Sequence, residues 1–196
     1  EVTYALDKDK NSYEAICYEL ITNWLIKGVS RAEVEKYIRP ALSCFFSSPW
    51  AFYAQLQKMI CSGVQIESAL ISNAEKWVET EKHTLSLISD ILNEPDKYED
   101  EYCSRLITVV NYIYEELYNQ KIVLFTNYTE TFDAYRSALQ EVFKPEEISF
   151  FGVEMETDAI ELNAYRFQNE ESCHIMLCDY SGGEGRNFQC ADYVIH

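Results

Sequence analysis

The stretch Ile175-Met-Leu-Cys-Asp-Tyr-Ser-Gly-Gly-Glu-Gly-Arg-Asn-Phe-Gln-Cys-Ala-Asp-Tyr-Val-Ile-His196 decides the fold. It reads as a short apolar strand, a Gly-rich turn, a helical turn and a second apolar strand. Gly182, Gly183 and Gly185 crowd three of the chain's six glycines into four residues. Glycine loses more backbone entropy on folding than any other residue. Such crowding therefore marks a backbone that needs φ > 0 or approaches something closely. A glycine turn after a strand and before a helix can also present N–H groups to a phosphate.

Upstream, the same grammar begins at Lys121. Ile122-Val-Leu-Phe125 is a continuous apolar run with polar neighbours, which suits a strand buried on both faces. Asn127 and Thr129 are candidate caps for a helix carrying Phe132, Tyr135, Leu139 and Val142. Ile148-Ser-Phe-Phe151 is a second strand, and Thr157 to Asn169 a helix with Ile160, Tyr165 and Phe167. Ile175 to Cys178 is the third strand and Tyr193-Val-Ile195 the fourth. Strands alternating with helices at this spacing imply a parallel sheet with right-handed crossovers. The loops Thr126–Thr129 and Asp179–Asn187 then lie on one edge, where ligands bind in open α/β sheets.

Residues 1–120 have a different pattern. Beyond a polar start at 1–11, Tyr13, Ile16, Cys17, Leu20, Trp24 and Leu25 make a helical stripe closed by Gly28. Ser30-Arg-Ala-Glu33 is a capping box for a short helix that Pro40 ends or restarts. Ser48-Pro49 opens the next helix, with Gly63 just past its end. Ile66 to about Glu94 reads as one long amphipathic helix, and about Tyr98 to Asn119 as another. The expected fold is α/β: a parallel sheet with flanking helices over 121–196, preceded by an all-helical region over 1–120.

The chain carries 16 Lys and Arg against 33 Asp and Glu, a net charge of −17. The excess is −8 over residues 1–120 and −9 over 121–196, so it is spread and not a tail. That argues against a free-standing nucleic-acid binder with a basic face, and fits a solvated surface or one that meets a basic partner. The seven cysteines are odd in number and lack a CxxC pair, which suits reduced core thiols and a cytoplasmic protein. His83, His174 and His196 are too far apart for a metal-ligand run. No signal peptide or membrane span is visible. Ending on an apolar run suggests a piece cut from a longer protein.

No Walker A pattern, GxxxxGK followed by Ser or Thr, occurs, and the dinucleotide fingerprint lacks its third glycine at Phe188. What the residues do carry is a resemblance. Lys121-Ile-Val-Leu-Phe-Thr-Asn-Tyr128 resembles motif IV of superfamily-two helicases, and Phe150-Phe-Gly152 the short strand after it. Phe167-Gln-Asn leading into Ile175-Met-Leu-Cys178 resembles their "F…d…vLL.s" run. Ser181-Gly-Gly-Glu-Gly-Arg-Asn-Phe-Gln-Cys-Ala191 resembles motif V in the "GGxGxNLQxA" form of Swi/Snf-type ATPases, and its core is similar to bacterial RapA-type translocases. Leu42-Ser-Cys-Phe-Phe-Ser-Ser-Pro-Trp-Ala51 resembles the "SSP-A" segment that precedes the second lobe, and Ser104-Arg-Leu106 the "SKL" helix start.

The resemblance implies a partial second RecA-like lobe of a two-lobed ATPase. The P-loop lobe would lie before Glu1, and motif VI with its arginine finger after His196. It implies ATP and Mg held mainly by the other lobe, and movement along nucleic acid, double-stranded DNA above all. It puts Gly183, Glu184, Gly185, Arg186 and Asn187 at the nucleotide. It puts Thr126, Asn127, Asp179, Tyr180, Ser181 and Gly182 on the nucleic-acid track. Asp179 stands where many helicases have a Thr that donates to a phosphate; an Asp there repels a phosphate unless protonated or paired. Whether this chain belongs to an active enzyme stays open, and alone it is expected to be inactive. The alternatives are a degenerate, non-catalytic lobe serving as an acidic protein-interaction module, and a small Rossmann-like enzyme.

Overall fold

The computed structural model describes residues 12–27, 29–98, 104–183 and 188–196. They fall into two compact units. One is drawn from Glu1–Leu87 and Asp100–Arg105, the other from Ile88–Glu99 and Leu106–His196. The polar start at 1–11 and Gly28 lie outside the described residues.

The first unit is helical. α1 spans Tyr13–Ile26 and is capped by Ser12, whose hydroxyl accepts from the Ala15 amide. The Ser30 capping box forms as the sequence indicates: the Ser30 side chain takes the Glu33 amide, and the Glu33 carboxylate takes the Ser30 amide. Pro40 does not end this helix. α2 (Arg31–Glu33) widens into a π-turn at Val34–Ile38, in which the Arg39 amide reaches back to the Val34 carbonyl, and continues as α3 (Arg39–Ser47). Proline lacks an N–H and crowds the carbonyl four residues back, so a widened turn lets the helix pass through it. Ser48 caps α4 (Pro49–Cys61), and Gly63 beyond it sits at φ 83°.

α3 packs on α4, α4 on α5 (Ser68–Ser86), and α5 on α1. Their core is aromatic. Phe45 meets Phe52 edge-on at 5.3 Å and Trp77 at 5.1 Å. A buried ionic cluster packs against these rings. The Arg105 guanidinium stands over Phe45 and Trp77 and donates to Glu14 Oε1 from Nε (3.1 Å) and Nη2 (2.5 Å). Glu81 accepts from the Ser104 hydroxyl at 2.7 Å. Burial pushes the Glu81 carboxyl up from its ordinary 4.5 to about 7. The nearby Glu14 adds to that, while Ser104, Arg105 and Trp77 oppose it.

The long helix expected over 66–94 is two. It breaks at Leu87, and α6 (Ile88–Asn93) follows. The break falls at the boundary between the units. Leu70, Ala74, Trp77 and Val78 serve the core of one unit, and Ile88, Ile91 and Leu92 belong to the other. The helix expected over 98–119 is α7, Arg105–Glu115; residues 99–103 lie outside the described set. Past its end, Asn119 adopts φ 60°, a conformation Asn tolerates well.

The second unit holds the sheet. β1 (Ile122–Phe125), β2 (Ile148–Phe151), β3 (Ile175–Cys178) and β4 (Tyr193–Ile195) occupy the segments read from the sequence. All pairings are parallel, in the order β2-β3-β1-β4. Every residue of β3 is buried, as is Ile122–Leu124 of β1, which is why these runs show no polar alternation. α8 (Thr129–Val142) packs on β2 and β3, and α9 (Thr157–Asn169) on β2. One core cluster joins Val123, Phe151, Phe167, Met176 and Cys178. Lys121 ties it together: its ammonium donates to the carbonyls of Phe167, Glu170 (2.8 Å) and Cys173 (2.8 Å), just before β3.

Candidate functional site

The site is the carboxyl edge of the sheet. Phe125 of β1 lies in register with Cys178 of β3, and Cys178 with Phe151 of β2. The three strands therefore release their chains side by side. Thr126, Gly152 and Asp179 are the first residues out.

Thr126 is buried. Its amide donates to the Cys178 carbonyl at 2.9 Å, extending the β1–β3 ladder by one step, and its hydroxyl points at the same oxygen at 3.5 Å. It caps no helix. Asn127 is exposed. The cap position of α8 belongs to Tyr128, which makes no side-chain cap bond, so neither Asn127 nor Thr129 caps it as its sequence suggested.

Asp179 is 4% exposed. Its Oδ2 accepts from the Val153 amide at 2.7 Å, and its Oδ1 from the Ser181 amide (2.8 Å) and hydroxyl (2.5 Å). These are neutral donors gathered by a carboxylate, the stronger class of hydrogen bond. Tyr180–Gly183 then forms a 3₁₀ turn, with Tyr180 exposed and Ser181 half-buried. Gly182 is glycine for steric room. A Cβ there would stand 2.8 Å from Cys178 Cβ, 3.0 Å from its Sγ and 3.2 Å from Phe151 Cδ1. Of the two readings the sequence allowed at this position, close approach is the operative one. Gly183 closes the turn, while Glu184, Gly185, Arg186 and Asn187 lie outside the described residues. The chain resumes at Phe188, whose ring meets Phe167 and Phe125 in the core.

Sequence reasoning missed the role of Val153. Its signal was faint: a glycine directly after β2, beside an aspartate directly after β3. A Cβ on Gly152 would stand 3.2 Å from Phe132 Cζ, so the small residue leaves that ring its space, while Asp179 Oδ2 would lie at an ordinary contact distance of 3.6 Å. His174 is buried, edge-on to Phe143 at 6.4 Å, and so sits in packing away from this edge. Cys178, under the turn, has its thiol pushed up to about 12 by burial, with Asp179 adding to the effect.

The β1 and β3 turns of this edge fall within a segment that has known relatives. Residues 104–196 match the helicase conserved C-terminal domain. No curated protein matches the sequence. Among solved structures, the chain is similar to the C-terminal domain of the Sulfolobus solfataricus SWI2/SNF2 ATPase. Identity is 17% over 94% of this chain and 64% of that one, with a TM-score of 0.46. It is also similar to the C-terminal part of the Fun30 ATPase domain, at 16% identity over 99% of this chain and 73% of that one, with a TM-score of 0.48. The chain thus spans just under two thirds of the first of these. Among the described residues, no helix is long and apolar enough to cross a membrane.

Proposed function

We propose that this chain supplies the second RecA-like lobe of a Swi/Snf-type ATPase of the bacterial RapA-type translocase kind, which moves along nucleic acid with double-stranded DNA as its track. One observation carries the reading. The turns after β1 and β3 leave the sheet side by side, in a segment that matches the helicase conserved C-terminal domain. In open parallel sheets that edge is the ligand edge.

In this reading residues 121–196 are a partial lobe and residues 1–120 a helical region preceding it. Gly183, Glu184, Gly185, Arg186 and Asn187 form one wall of an ATP cleft. ATP and Mg are bound mainly by a P-loop lobe, since no Walker A pattern occurs here. Thr126, Asn127, Tyr180, Ser181 and Gly182 line the nucleic-acid track, with Asp179 among them. Hydrolysis of this kind works by positioning and charge stabilisation, so a wall of donors on the second lobe is a sufficient contribution. Closure of the lobes on ATP would move the track. The protein works in the cytoplasm.

Anisotropy titration of the full-length protein against a labelled DNA duplex and an RNA duplex tests the track. The reading expects binding that favours the DNA duplex and weakens with salt. Absence of nucleic-acid binding, together with capture of a defined protein by this acidic surface, would favour the interaction-module reading instead.

A further inference from the structure

We infer that Asp179 is a positioning residue: it latches the turn after β2 to the Gly-rich turn, and it acts on the ligand of that turn only through the latch. For its ligand this inference rests on the function proposed above; for its geometry it does not.

Every polar atom of Asp179 is engaged within the protein. Its amide donates to the Phe151 carbonyl at 3.0 Å, and its carbonyl accepts from the Gly182 amide at 3.1 Å. Oδ2 takes the Val153 amide, and Oδ1 takes both donors of Ser181. All three side-chain partners are donors, so the group works as an acceptor, and an acceptor offers nothing to a phosphate oxygen. The two ends of the latch are elements with separate duties. Val153 lies in the turn Gly152–Met155, closed by the Met155 amide on the Gly152 carbonyl at 3.0 Å, and that turn leads into α9. Ser181 lies in the turn that leads into residues 184–187. Gly182 lets the Gly-rich turn lie close against the sheet, because a Cβ there would stand 2.8 Å from Cys178 Cβ and 3.2 Å from Phe151 Cδ1. One carboxylate therefore fixes where the Gly-rich turn begins relative to β2.

The geometry supplies a variant that separates a latch from a contact. Val153 is the second residue of its four-residue turn, a position that proline favours. Val153→Pro deletes the N–H that Oδ2 accepts, without touching Asp179 or the Gly-rich turn. Asp179→Asn keeps the shape but leaves one acceptor oxygen where two are needed. In the full-length protein, each single variant is expected to weaken DNA-duplex binding by roughly tenfold, about the value of one charge-assisted hydrogen bond. The double variant is expected to be no weaker than the weaker single. Val153→Pro binding like the unaltered protein while Asp179→Asn is impaired, or losses that multiply, would show direct contact and overturn the inference. Should Val153→Pro not fold, amide exchange in Asp179→Asn decides the latch instead. Amide exchange needs no ligand. Asp179→Asn should speed exchange at Val153 and Ser181 by about ten- to a hundredfold, and unchanged exchange sinks the latch. Faster exchange in a protein that binds no nucleic acid would retain the latch and sink the functional reading.

Discussion

Glu81 makes the first unit sensitive to pH in a way its neighbours predict. The carboxyl is held at about 7, against an ordinary 4.5, because it is buried. A carboxyl raised in the folded state adds stability that is fully present below the unfolded value and is lost as pH rises through the folded one. Between about pH 4.5 and 7 the native chain holds a proton that the unfolded chain has released. Stability therefore falls by about 1.4 kcal/mol per pH unit, roughly 3 kcal/mol across the window. Glu81→Gln mimics the protonated carboxyl: its amide oxygen still accepts from the Ser104 hydroxyl, and nothing titrates. Urea unfolding of the 196-residue chain, followed by tryptophan fluorescence at half-unit steps from pH 4.5 to 8, gives the comparison. The two proteins should match near pH 4.5 and diverge steadily, the variant ending more stable above pH 7. Other groups titrate alike in both and cancel in the difference. A difference that stays flat across the window would refute the reasoning.

Three further outcomes follow from the packing. Gly182→Ala should cost about 1–3 kcal/mol by overpacking, because its Cβ meets Cys178 Cβ at 2.8 Å; a thermal melt within a degree of the parent would contradict it. Lys121→Met should cost about 1–2 kcal/mol and speed amide exchange along β1 and β3, since three carbonyls lose one ammonium; urea midpoints and exchange rates read it. Cys17 and Cys178, buried with thiols pushed up to about 12, should resist iodoacetamide in the native chain at pH 8, while exposed Cys61 and Cys190 react; peptide mass spectrometry reads the pattern.

The sheet was legible because its strands are buried on both faces. Ile122–Phe125 and Ile175–Cys178 stand out as apolar runs between polar residues, and their helical spacers dictate parallel pairing. Caps were legible where a side chain bonds its own neighbourhood, as at Ser30 and Ser48. Periodicity failed where a helix serves two cores: the stripe from Leu70 to Leu92 continues through Leu87, but the helix does not. The ionic cluster was invisible because Glu14 and Arg105 lie 91 residues apart and each reads as a solvated charge. Asp179 was visible as a misfit beside a phosphate. Its partners were not, since two of them are backbone amides that every residue but proline carries.

The central claim is that this chain is one wall of an ATP site that works on nucleic acid. ATP hydrolysis by the full-length protein, measured with and without double-stranded DNA and set beside residues 1–196 alone, tests it most directly. The account predicts DNA-stimulated turnover for the full-length protein, loss of it on Asn187→Ala, and no turnover by residues 1–196. Hydrolysis by residues 1–196 alone, or a full-length protein whose turnover ignores DNA, would contradict it.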